Sequence, residues 1–124
     1  MKNKFELEFT MKTSARVLFP RLSTPSGLAE WFSDNVMIKG NIYSFIWDGI
    51  NQDAEQTNLR ENMGVRYAWV ADEDNAFFEF KLKTDELTGD LALMVTDFAD
   101  DDEKTDAVSL WEAQIASLKQ AIGL

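Results

Sequence analysis

Toward the end of the chain Val108, Trp111, Ile115, Leu118 and Ile122 recur at alternating spacings of three and four, while Glu112, Gln114, Ser117, Lys119 and Gln120 fall on other sides. This period predicts a long amphipathic helix with one face laid against a surface that the earlier chain supplies. At its rise per residue such a helix spans roughly 25 Å, enough to cross a curved sheet. The surface it needs is written in a different period. Phe5, Leu7, Phe9 and Met11 alternate with Glu6, Glu8 and Thr10, the mark of a strand with one buried face.

Between these ends the pattern predicts two short helices and then strands. Ser14 caps a helix through Val17, Leu18 and Phe19, with Pro20 expected to disturb its final turn because proline lacks the amide a helix interior uses. Thr24 caps a second helix with Pro25 at its first position and Leu28, Trp31 and Phe32 on its buried side. Val36 to Lys39 and Ile42 to Trp47 flank Gly40-Asn41, a hairpin dipeptide, and Asp48-Gly49 ends the second strand. Residues 50–62 are polar, which predicts a loop followed by a marginal strand near Glu55 to Glu61. Val65 to Val70, Phe77 to Lys83 and Leu91 to about Phe98 complete the strands, separated by the turn residues Asp72 to Asn75 and Thr88-Gly89-Asp90. The fold class is therefore α+β: a curved antiparallel sheet of about six or seven strands, two short helices after the first strand, and a long C-terminal helix packed across the concave face.

Composition narrows the function classes. At 124 residues the chain suits one domain with a single core, and nine Phe and four Trp supply apolar material for it. The formal charge of -10 and the scatter of the twelve basic residues argue against nucleic acid and against an anionic membrane as partners, since both need concentrated positive charge. Cysteine and histidine are both absent, which excludes disulfides, the usual zinc ligands and the Ser-His-Asp triad. No metal and no cofactor is expected. Met1 to Phe9 lacks the apolar run of a signal peptide and no stretch approaches a membrane span, so a cytoplasmic location is the expectation.

Specific segments carry a family resemblance. Ser14-Ala15-Arg16-Val17-Leu18, the run from Ser23-Thr24-Pro25 to Trp31-Phe32, and the closing Trp111-Glu112 to Leu118 with Ile122-Gly123 resemble the chaperone-activator-like group of the START-like, or helix-grip, superfamily. Phe45-Ile46-Trp47-Asp48-Gly49, Thr88-Gly89-Asp90 and Thr96-Asp97-Phe98-Ala99 resemble a narrower set of small bacterial START-like proteins. The resemblance covers essentially the whole chain and implies the helix-grip fold, which often encloses a ligand cavity. It implies no particular activity, because the shared residues are those of packing and turns.

Several side chains are candidates for function. Tyr43, Phe45, Trp47, Tyr67, Trp69, Phe78 and Phe80 share strand faces, and on the concave side they meet Trp31, Phe32 and Trp111. Such a set either lines a cavity for an apolar ligand or fills an ordinary core. Asp97 shares parity with Leu91, Leu93 and Val95 and points either to the cavity rim as a general acid or to backbone amides in the turn before the helix. Asp100, Asp101, Asp102, Glu103 and Asp106 lack the spacing of a calcium loop and read as a solvated run favoured by the helix dipole, with Asp106 as the expected cap. Arg60 and Arg66 can orient an anion but read as surface groups, Arg66 lying opposite Tyr67 and Trp69.

Three readings remain in order. The first is a non-enzymatic domain that binds a small hydrophobic molecule between sheet and closing helix. The second is a protein-interaction module resembling chaperone activators, homodimerisation through an edge strand included. The third is an enzyme resembling polyketide cyclases, using Asp97 or Tyr67.

Overall fold

In the computed structural model, which describes residues 2–124, the first alternating segment is β1 (Asn3–Met11), with Phe5 and Met11 buried and Glu6 and Glu8 exposed. Helices α1 (Ala15–Ser23) and α2 (Pro25–Ala29) follow, then β2 (Asn35–Lys39), β3 (Ile42–Trp47), β4 (Ile50–Arg60), β5 (Gly64–Trp69), β6 (Phe77–Thr84), β7 (Leu91–Ala99) and α3 (Lys104–Ala121). The seven strands form one antiparallel curved sheet in the order β1-β7-β6-β5-β4-β3-β2. Every neighbouring pair except β1 with β7 is a hairpin, so α1 and α2 carry the chain from one edge of the sheet to the other. Among the described residues no helix is long and apolar enough to cross a membrane.

The inward side chains of the sheet and the buried faces of the helices make one core. Phe45, Tyr67, Phe80, Leu93 and Val95 from the strands close over Leu18 and Leu22 of α1, Leu28 of α2, and Ile115 and Leu118 of α3. The predicted stripe of the closing helix is the face in contact: Trp111, Ile115 and Leu118 are buried, and Val108 and Ile122 pack at its margins.

Four local expectations are corrected. Helix α1 does not fail at Pro20 but runs on to Ser23, because Arg16 and Pro20 both lie on its exposed side, where the carbonyl left without an amide partner meets water. The other side of that last turn is held by side chains from the sheet. Helix α2 ends at Ala29, so Trp31 and Phe32 are buried from the turn after it rather than from its face. Residues 50–54 are not a loop. They begin the 11-residue strand β4, paired with β3 on one side and β5 on the other. Its inward positions are Gln52, Ala54 and Gln56, polar or small, so hydrophobic alternation cannot reveal it. Finally, Asp106 is not the cap of α3: Glu103 occupies that position without a side-chain bond, and Asp106 sits in the first turn, where the dipole still favours its charge.

Turn chemistry sets the hairpins. Asp48 and Gly49 take φ of 48° and 77° between β3 and β4, the pair of positive angles a two-residue hairpin uses. Asn58, at φ 51°, stands in an irregularity of β4 where the register with β5 shifts between Thr57 and Arg60. Such bulges bend a strand and help a sheet to curve.

Candidate functional site

The inner surface of the sheet changes character along its strands. At one end Tyr43, Phe45, Tyr67 and Phe80 are fully covered. Toward the other, five consecutive strands each contribute one inward residue to a depression: Trp47 from β3, Gln52 from β4, Trp69 from β5, Phe78 from β6 and Asp97 from β7. Leu110, Trp111 and Gln114 of α3 and Phe32 from the turn after α2 form the opposite wall. The pocket so enclosed has a volume of about 360 Å³.

Its walls are built from interlocking rings. Phe32 stacks on Trp111 at 5.8 Å between centroids and meets Trp47 edge-on at 5.2 Å. Phe78 lies 5.2 Å from Trp69 and 6.1 Å from Trp111. The indole nitrogens are fixed as well: Trp47 Nε1 donates to the Phe32 carbonyl at 2.9 Å, and Trp111 Nε1 donates to Asp97 Oδ2 at 2.7 Å. Gln114 Nε2 donates to the same Phe32 carbonyl at 3.1 Å, tying α3 to the turn. Phe32, Phe78 and Trp111 are themselves buried, so the aromatic surface open to the depression comes chiefly from the partly exposed Trp47 and Trp69.

Asp97 is half-buried at the pocket wall. Its Oδ2 receives the Trp111 indole and its Oδ1 receives the Phe98 amide at 2.7 Å. Burial pushes its carboxyl above the ordinary aspartate range, against the opposing pull of the Trp111 indole, the Phe98 amide and the charge of Lys2. Both readings of its direction thus meet in one place, since it accepts a neighbouring amide and also lines the depression.

The ten aromatic candidates divide. Phe32, Trp47, Trp69, Phe78 and Trp111 line the pocket, whereas Trp31, Tyr43, Phe45, Tyr67 and Phe80 do not and fill the core behind. Trp31 donates its Nε1 to the Arg21 carbonyl at 2.8 Å, joining the segment after α2 to α1. Tyr67 is turned to the end of α1: its hydroxyl donates to the Leu22 carbonyl at 2.7 Å, Tyr43 donates to the Ser23 carbonyl at 2.9 Å, and Gln56 Nε2 lies 2.9 Å from that same carbonyl. These three side chains satisfy the last carbonyls of α1, which the chain reversal into α2 leaves without helical partners. Burial raises the phenol pKa of both tyrosines, so neither is poised to exchange a proton near neutrality.

Outside the pocket, Arg66 pairs with Glu79 at 2.9 Å and lies 3.8 Å over the Phe77 ring, on the outer face as its parity predicts. Arg60 is exposed. Asp100, Asp102 and Glu103 bring carboxylate oxygens within 4.8 Å of one another, but Asp102 and Glu103 are open to water, as acidic groups commonly are without an ion. Sequence reasoning missed Gln52, Leu110 and Gln114 at the pocket, and Gln56 behind it. The available signal was parity: Gln52, Ala54 and Gln56 share the inward register of a strand whose composition hides it.

The model of the START-like superfamily domain matches residues 1–124. The solution structure of a protein from Bacteroides fragilis is similar over 99% of this chain and 93% of its own, at 35% identity and a TM-score of 0.69. The solution structure of the Aha1 dimer from Colwellia psychrerythraea aligns over 98% of this chain and 97% of its own, at 20% identity and a TM-score of 0.83. A protein from Mesorhizobium loti matches over 97% and 96%, at 20% identity and 0.76. No curated protein matches the sequence.

Proposed function

We propose, from the premise that this chain belongs to the START-like superfamily, that it binds a small hydrophobic molecule in the pocket between the sheet and α3, without transforming it. The observation that carries this reading is the depression of about 360 Å³ walled by Phe32, Trp47, Trp69, Phe78 and Trp111. Its size lies at the lower end of the range typical of small-molecule sites, and its aromatic walls with a few polar groups match their usual make-up. The cyclase-like reading finds less support, since Tyr67 is committed to a helix-end carbonyl away from the pocket and Asp97 has no base beside it among the residues lining the pocket.

Titration with the neutral dye Nile red tests the proposal, read by tryptophan fluorescence and by native mass spectrometry of gently purified protein. One dye per chain, with quenching of the pocket indoles, is expected. An unchanged indole spectrum and a bare protein mass throughout the titration would remove the reading.

A second reading, protein interaction, is favoured by β2. This edge strand leaves one side of its ladder unpaired and exposes Met37 at 59% and Ile38 at 50%. Edges of this kind are templates for strand addition, and the similar Colwellia protein is described as a dimer.

A further inference from the structure

The charge arrangement around the pocket goes further than its apolar walls. Asp97 is the only ionisable side chain among the described residues that line it. Its two oxygens are engaged by one donor each, the Trp111 indole and the Phe98 amide, which leaves acceptor capacity on a carboxylate able to take about four hydrogen bonds. Phe78 stands on the neighbouring strand, and Trp69 and Trp47 line the same pocket further across the sheet. A carboxylate among aromatic faces is the combination that holds an organic ammonium, by ion pairing and by attraction of the cation to the ring quadrupoles.

The surroundings point the same way. Where the pocket meets Gln52 and Trp69 it adjoins a groove lined by Asp53, Asp72, Glu73 and Asp74. Where it meets Leu110 it adjoins a second, lined by Asp100, Glu103 and Asp106. Lys2 is the one cation lining these grooves among the described residues; it is paired with Asp72 at 3.3 Å and its charge also reaches Asp97, so a bound ammonium would share that carboxylate's field with it. A mouth flanked by like charge on a chain of net charge -10 draws cations and repels anions.

We infer that the pocket selects a cationic amphiphile, an aromatic ring or short alkyl body bearing a protonated amine, with the ring between Trp69 and Trp111 and the ammonium on Asp97. This rests on the reading of the pocket as a hydrophobic-ligand site and assigns that site its ligand class.

Three probes of one shape separate the possibilities: 2-naphthylethylamine, 2-naphthylethanol and 2-naphthylacetate, each titrated calorimetrically and followed by the shifts of the indole N–H resonances. The amine is expected to bind at least about ten-fold more tightly than the alcohol, the scale of one desolvated cation–ring or charge-assisted contact, and the acetate more weakly than either. Asp97→Asn should bring the amine down to the alcohol while leaving the alcohol within about three-fold. Leu110→Lys places a cation at the exposed rim, where the native side chain is 61% accessible, and should weaken the amine more than the alcohol even if the Asp97 variant folds poorly. Equal binding of amine and alcohol to the native protein overturns the cation assignment and leaves the hydrophobic pocket standing. If none of the three moves an indole resonance, the pocket reading itself falls.

Discussion

Two polar side chains on the same inner surface show how far a residue's role depends on its immediate neighbours. Tyr67 and Asp97 both point inward from the sheet, yet Tyr67 donates to the Leu22 carbonyl and is sealed, while Asp97 accepts the Trp111 indole and stays at the pocket wall. Parity along β7 made the inward direction of Asp97 legible; its indole partner 14 residues away was not, because that contact depends on where α3 crosses the sheet. The raised pKa of Asp97 has a definite sign in stability. The native state holds this proton more tightly than the unfolded chain, so across the interval from the unfolded value of 3.8 up to the native midpoint stability due to this group falls as pH rises. Asp72 and Asp85, whose carboxyls are lowered first of all by backbone amides, act in the opposite sense and lose their contribution as pH falls. The isolated signal is therefore the Asp97 carboxyl carbon in an NMR titration, expected to show a midpoint above 3.8; a midpoint at or below that value contradicts the burial argument.

The clearest element-scale dependence is the junction of α1 and α2. Thr24 Oγ1 donates to the Pro20 carbonyl at 2.7 Å and accepts the Gly27 amide at 3.0 Å, ending one helix and starting the next with a single hydroxyl. Gly27 lies so close beneath that a Cβ there would collide with the Pro20 carbonyl and stand 2.6 Å from Arg21 Cα, both backbone. Gly27→Ala is expected to cost about 1–3 kcal/mol, the range for overpacking a site that cannot yield. A denaturation midpoint equal to that of the native protein would show that the helices can separate there. The elements differ in how legible they were. The stripe of α3 and the alternation of β1, β5 and β6 announce themselves because one face is apolar. Strand β4 does not, since neighbours on both sides hold its backbone while its inward side chains are two glutamines and an alanine.

At the scale of the whole molecule the two sheet edges are unequal. Edge strand β1 carries Lys4, Glu6 and Glu8 on its outer face, whereas β2 presents Met37 and Ile38. Charge on an edge discourages pairing and apolar exposure invites it. If β2 pairs with its copy, light scattering should give twice the chain mass of 14.1 kDa, and Met37→Lys should return it to one; a single-chain mass for the native protein removes the edge-pairing reading. Sequence alone determined the α+β class, the order of elements apart from the first half of β4, and the contacting face of the closing helix. Those properties follow from local periods and turn residues, which act within a few positions of the chain. It also supplied the inward aromatic set, though not its division into core and pocket. Tertiary structure decided that division, because whether a ring is sealed or left facing a space depends on the curvature of the sheet and the crossing point of α3, and these are set by all the packed residues together rather than by any one segment.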